Sequence, residues 1–139
     1  AFFIPSDSLR IIQPMLQNAL VICLAACVGA LMRWGFATWL NPGGVLPWGT
    51  LAVNLIGGYL IGIAIGVFNG LPDIDPAWRL MVITGFLGTL TTFSSFSAEV
   101  VGMLMNGRLG LALATLMLHL GGSLCLTWLG FRTVQAFSA

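Results

Sequence analysis

Lysine is missing from this chain altogether, and charged residues of any kind fill only 6% of its 139 positions. A soluble domain carries roughly 25% charged residues. A surface wetted on all sides is therefore excluded, and the lipid bilayer is left as the solvent. With one histidine and four acidic residues in all, the chain has no His/Cys/Asp cluster and no activated nucleophile, which argues against a membrane enzyme. The formal net charge of +1 is too small to attract nucleic acid or an acidic partner. No basic cluster precedes the first apolar run; Ala1 to Gln17 holds Asp7, Arg10 and two prolines instead. A secretory signal is not expected there, and the stretch reads as a short cap or interfacial helix. Cys23, Cys27 and Cys125 lie inside apolar runs without carboxylate or imidazole neighbours, so they are expected to act as small hydrophobes.

What the chain does have is apolar length. Its hydrophobic fraction is 58% and its mean hydropathy +1.02. A helix needs about 20 apolar residues to cross the hydrocarbon core, and four runs meet that length. They extend from about Met15 to Leu40, Leu46 to Leu71, Leu80 to Met105 and Leu109 to Phe131. The predicted fold is all-α and integral to the membrane, one four-span domain over residues 1–139. Breaker-rich links separate the runs: Asn41-Pro42-Gly43-Gly44, Leu71-Pro72-Asp73-Ile74-Asp75-Pro76, and Asn106-Gly107-Arg108. Trp34, Trp39, Trp48, Trp78 and Trp128 stand near span ends, where an interfacial aromatic belt would sit. With four spans, Arg10, Arg79 and Arg132 share one side, against Arg108 and Arg33 on the other. That bias is too weak to fix orientation, so the chain is expected to insert both ways and to allow opposed copies to pair.

The polar residues within the spans are patterned. Thr50, Asn54, Gly58, Gly62 and Gly66 recur every fourth residue and form one stripe on the second span. The glycines suit a close-packed helix seam. Asn54 must find partners, because lipid offers none; it either glues helices or faces a pathway as an N–H donor. His119, Ser123 and Thr127 repeat the spacing on the fourth span. Their hydroxyls either bond back to their own helix or line a water or ion path, and the histidine is either a packed residue or a proton relay. The third span is the anomaly. Six hydroxyls fall between Thr89 and Ser97, after Gly85 and Gly88, and the β-branched Thr91-Thr92 pair propagates a helix poorly. A helix break is predicted near Gly88 to Thr92. Carbonyls freed at bilayer depth are tolerated where they are buried in protein or turned toward an ion. Phe93 and Phe96 share a face, with Ser97 beside them.

The segment Gly85-Phe86-Leu87-Gly88-Thr89-Leu90-Thr91-Thr92-Phe93-Ser94-Ser95-Phe96-Ser97 resembles the third-span signature of the Fluc (CrcB-type) fluoride channels, with Ser95 in place of the usual Thr. Gly49-Thr50 with Asn54-Leu55-Ile56-Gly57, and Gly29 with Arg33, extend the likeness over roughly Val28 to Thr127. The resemblance implies an antiparallel, dual-topology homodimer with two fluoride pores, multi-pass in a bacterial inner membrane, that expels fluoride passively and confers fluoride resistance. It implies that backbone carbonyls at Gly88 and Thr91 hold one structural Na⁺, shared by both copies and not transported. It also implies that Phe93 and Phe96 line the anion path, that Asn54 donates a hydrogen bond, and that Arg33 sits near an aqueous vestibule. Residue chemistry agrees. Compact donors such as Asn54 N–H and the hydroxyls of Ser97, Ser123 and Thr127 suit a small hydrated anion, and an aromatic ring has an electropositive edge. The rivals are a dual-topology multidrug/proton antiporter using Glu99 as its midplane carboxylate, and a structural scaffold without transport.

Overall fold

The structure is a computed structural model that describes residues 6–41, 43 and 46–138, with side chains from Ile12 onward. Ala1 to Pro5, and Pro42 and Gly44 of the first link, lie outside the described residues. Four helices in it are long and apolar enough to cross a membrane: Ile12–Leu40, Trp48–Gly70, Pro76–Met105 and Leu109–Phe137. The chain is a multi-pass membrane protein.

The first span is the long helix α1 (Ser6–Leu40), which carries Pro14 inside it. The stretch Ala1 to Gln17 reads in the sequence as a short cap or interfacial helix; from Ser6 onward it is continuous with the span, one helix running through Pro14. No glycine or second proline adjoins it, and a lone proline is tolerated in membrane helices because local adjustments meet the freed carbonyl. The second span, α2 (Trp48–Gly70), is the central one. In its most apolar window 39% of residues are buried inside the chain, against 6% for α1, whose Leu16, Leu20, Leu24 and Leu31 face outward.

The last span, α6 (Leu109–Phe137), packs against α2 along the glycine stripe. A methyl group at Gly62 would overlap the carbonyl oxygen of Thr127, and one at Gly130 would overlap that of Tyr59. Absent side chains on both helices let the two backbones touch. Thr127 Oγ1 then donates across the seam to Gly58 O at 2.9 Å. Small residues are what bring helices together in lipid, where apolar burial gives no net driving force between them.

The third span is built in pieces. The short helix α3 (Pro76–Arg79) starts with Pro at its first position, and Asp75 caps it by accepting the Ala77 N–H at 2.9 Å. Arg79 reaches back and donates to Phe68 O at 2.6 Å, which satisfies a carbonyl in the final turn of α2. From Leu80–Leu87 the backbone is π-helical, and Gly88 N–H donates five residues back to Ile83 O. The single turn α4 (Gly88–Leu90) follows, then a non-helical step at Thr91 and Thr92, then α5 (Phe93–Met105). Val53, Ala64 and Phe68 of α2 close over Leu87 and Leu90 to form one core; Phe96, Val100 and Met103 of α5 close over Ala112 of α6 to form another.

Candidate functional site

The helix break lies where the Gly and Thr content placed it. Thr91 has φ −80° and ψ 157°, and Thr92 has φ −149° and ψ 120°, both extended. Asn54 on α2 holds the break open. Its Oδ1 accepts the Thr92 N–H at 2.8 Å, and its Nδ2 donates to Thr92 O at 3.0 Å. One carboxamide thus replaces both hydrogen bonds that Thr92 would have made in a continuous helix. The Ser95 N–H is taken by the Thr92 hydroxyl at 3.2 Å, an N-cap for α5. Thr92 N–H and Ser95 N–H are the donors that an unbroken helix would send to the carbonyls of Gly88 and Thr91. Both are committed elsewhere, so those two carbonyls are released from the helical ladder. Gly57 of α2 leaves room for the Thr91 methyl, which a Cβ there would strike.

Beyond the break, Phe93 and Phe96 pack edge to face, with centroids 5.6 Å apart at 63°. Phe93 is 73% exposed and Phe96 only 4%. The buried Phe96 ring stacks on His119 of α6 at 4.5 Å and 23°. His119 Nδ1 is 3.0 Å from Asn54 Nδ2, so both amide hydrogens of Asn54 are engaged. These groups border an open cleft of about 440 Å³ between the break, α2, α5 and α6. The cleft brings together Asn54, Gly88, Thr91, Phe93, Phe96, Ser123 and Thr127, and no Arg, Asp or Glu is among the residues lining it.

A second hollow, about 360 Å³, lies on the other side of Thr92 and is lined by Arg33, Thr50, Ser94 and Ser95 among others. Arg33 thus lines a different hollow from the aromatic pair, the two hollows sharing Thr92. Thr50 donates to Glu99 Oε1 at 2.5 Å, tying α2 to α5. Glu99 lines neither hollow.

Of the residues singled out in the sequence for the anion path, Arg33 and Ser97 are the two the cleft leaves aside; the Ser97 hydroxyl donates to Phe93 O at 2.8 Å within its own helix. Thr127 and Ser123 do border the cleft, yet their hydrogens go to carbonyls: Thr127 to Gly58 O and Ser123 O, both at 2.9 Å, and Ser123 to Asn54 O at 3.4 Å. The Ser123 bond is long, and its hydrogen is the more easily diverted. Sequence reasoning did not pair Asn54 with Thr92 or His119. The cap signal at Thr92, a hydroxyl before a helical run, was there to be read; the link to residues 38 and 65 positions away was not.

Comparison with known proteins adds the family. The family described as "CrcB-like protein, Camphor Resistance (CrcB)" matches residues 20–131. A protein of Paracidovorax citrulli (strain AAC00-1), named fluoride-specific ion channel FluC, is 78% identical over 119 residues, which is 86% of this chain and 94% of that protein. A protein of the same name from Variovorax paradoxus (strain S110) is 66% identical over 125 residues, 90% of this chain and 100% of its own length. One from Albidiferax ferrireducens is 62% identical over 119 residues, 86% of this chain and 92% of that protein.

Proposed function

Because this chain belongs to the CrcB-like family, and relatives up to 78% identical are named fluoride-specific ion channels, we propose that it conducts fluoride passively across a bacterial inner membrane as an antiparallel homodimer. The observation that carries the reading is the cleft with aromatic edges and no fixed charge in its lining. A cationic wall would bind fluoride tightly and slow its exit; ring edges and neutral donors attract an anion weakly enough to release it. Phe93 and Phe96 supply the edges. Of Asn54's two N–H groups, the one directed at His119 is the one an anion in the cleft can compete for, since the other is tied into the break. Ser123 and Thr127 serve the path as secondary hydroxyls, and Arg33 raises the local anion concentration in the second hollow.

Reconstituted protein should release fluoride from vesicles, read with a fluoride electrode, while chloride and a lipophilic cation stay behind. Proton-coupled cation uptake without fluoride release would favour the antiporter reading. That reading needs Glu99 as a midplane carboxylate facing a path, whereas here Glu99 lines neither hollow; its Oε1 receives the Thr50 hydroxyl and its Oε2 is buried without a partner.

The released carbonyls of Gly88 and Thr91 fit a monovalent cation. They are neutral oxygens in a cleft without carboxylates, and hard divalent sites normally include Asp or Glu. Two such carbonyls from each of two opposed copies would hold a structural Na⁺, which supplies positive potential beside the anion path. The exposed Gly88 and Phe93 agree with a partner on this face. Vectorial labelling of a cysteine added at the C-terminus should modify about half the chains, and a heavier monovalent ion should give one anomalous peak between two chains. Complete labelling from one side, or a peak bound within a single chain, would defeat the shared site.

A further inference from the structure

Arg79 makes a double contact with one residue of another span. Its Nη2 donates to Phe68 O at 2.6 Å, and its guanidinium carbon lies 5.7 Å from the centroid of the Phe68 ring. Phe68 stands in the last turn of α2, where carbonyls lack helical partners and the helix dipole favours a cation. Its ring is 7% exposed and shares a core with Leu87 and Leu90, the chain neighbours of Gly88 and Thr91. Leu87 O in turn accepts the Thr91 N–H at 3.1 Å and the Thr91 hydroxyl at 2.9 Å. The third span is therefore fastened to α2 at two heights: at Phe68 through Arg79, and at Asn54 through Thr92. Those heights are about 21 Å apart along α2. Among the described residues between them, Thr89 alone sends a side-chain hydrogen bond to another span, and its hydroxyl is shared between Ala26 O, Gly85 O and Phe86 O. The π-helical run from Leu80 to Leu87 occupies this interval, eight residues of a form that usually lasts a single turn. Fixed ends account for its length.

We propose that Arg79 is a positioning residue for the cation site: by pinning the start of the third span to Phe68, it keeps the π-helical run short and so sets where the released carbonyls of Gly88 and Thr91 stand. The inference rests on the reading of those carbonyls as a sodium site. With the first fastening gone, the run tightens to α-helix, in which the same residues cover a greater length. Gly88 then turns against a Thr92 that Asn54 still holds. Carbonyl oxygens displaced by about an ångström no longer complete the shell of a small cation. Sodium affinity falls, while Asn54 and the aromatic pair keep their contacts.

The test reads sodium binding as stability. Purified protein is melted over a series of sodium concentrations, with N-methylglucamine holding the ionic strength constant; a cation that binds only the folded state raises the melting temperature as it is added. Purification also keeps the weight of Arg79 in membrane orientation out of the result. Arg79→Met retains an unbranched apolar stem and removes the donor and the charge. Its sodium dissociation constant is expected to rise about tenfold or more, so its melting temperature falls further behind wild type as sodium is added. Fluoride efflux should need correspondingly more sodium for half its maximum and recover above that. Arg79→Lys keeps the charge and a donor for Phe68 O without the planar fork, and is expected to fall between the two. A gap between Arg79→Met and wild type that stays constant with sodium shows a bracing role alone and overturns the inference. So does an Arg79→Met protein that fails to fold at any sodium concentration, or a lysine variant no better than methionine. Wild-type protein whose melting temperature ignores sodium overturns the cation reading and this inference with it, and leaves fluoride conduction standing.

Discussion

Phe93→Ile protein is expected to fold and dimerise normally and to conduct fluoride at about a tenth of the wild-type rate or less. Phe93 is 73% exposed, and its aromatic contact is the edge of Phe96. Replacing it removes little area buried within one chain, so core packing there is almost untouched, and isoleucine keeps an apolar side chain on the face a partner would cover. What disappears is the electropositive ring edge in the cleft. An edge contact worth about 1.5 kcal/mol in passage corresponds to roughly tenfold in rate. Phe96→Ile should reduce efflux as well, but it is the less informative variant. Phe96 is 4% exposed, packs with Val100 and Met103, and stacks on His119, so its loss mixes packing with conduction. Fluoride efflux beside size-exclusion yield separates the two effects. Wild-type efflux from well-folded Phe93→Ile dimers would remove the ring from the pathway.

Asn54→Asp is expected to be the most damaging single exchange of similar size, abolishing efflux and lowering the melting temperature together. The carboxylate keeps the bond accepted from Thr92 N–H and loses both bonds donated, to Thr92 O and to His119 Nδ1. Thr92 O is left unmet in a buried setting, at about 1–3 kcal/mol, His119 must change tautomer to meet the carboxylate, and an ionised oxygen would also repel the anion. The coupled loss distinguishes a residue that shapes the break from one that merely faces the pore. Loss of efflux at an unchanged melting temperature would mean that the clamp on Thr92 carries no weight.

Much of this was visible in residue order alone because its causes are local. Apolar length set the spans, and the Thr91-Thr92 pair after two glycines located the break. The fourfold spacing of Thr50, Asn54, Gly58 and Gly62 foretold a seam. The fourth-span hydroxyls left two readings open, and in the single chain they bond to carbonyls. What stayed hidden depends on tertiary partners. The amide of Asn54 is directed by a backbone 38 residues away, and His119 is oriented by contacts made from two other helices. The π-helical run Leu-Met-Val-Ile-Thr-Gly-Phe-Leu has the composition of any buried helix, so nothing in it announces a wider turn. At Pro14 a local breaker residue is outvoted by the apolar helix around it.

That wider turn has a consequence for length. A π-helical turn holds one more residue than an α-helical turn over nearly the same rise. The stretch from Leu80 to Leu87 therefore acts as a slack link between the Arg79 tether and the break. Deleting one residue there would tighten the coil to ordinary α-helix while leaving Arg79 against Phe68 and Thr92 against Asn54. The same deletion after Gly88 would swing Phe93 and Phe96 round by about 100°. The span thus contains a place that absorbs an insertion or deletion and, a few residues later, a place that cannot.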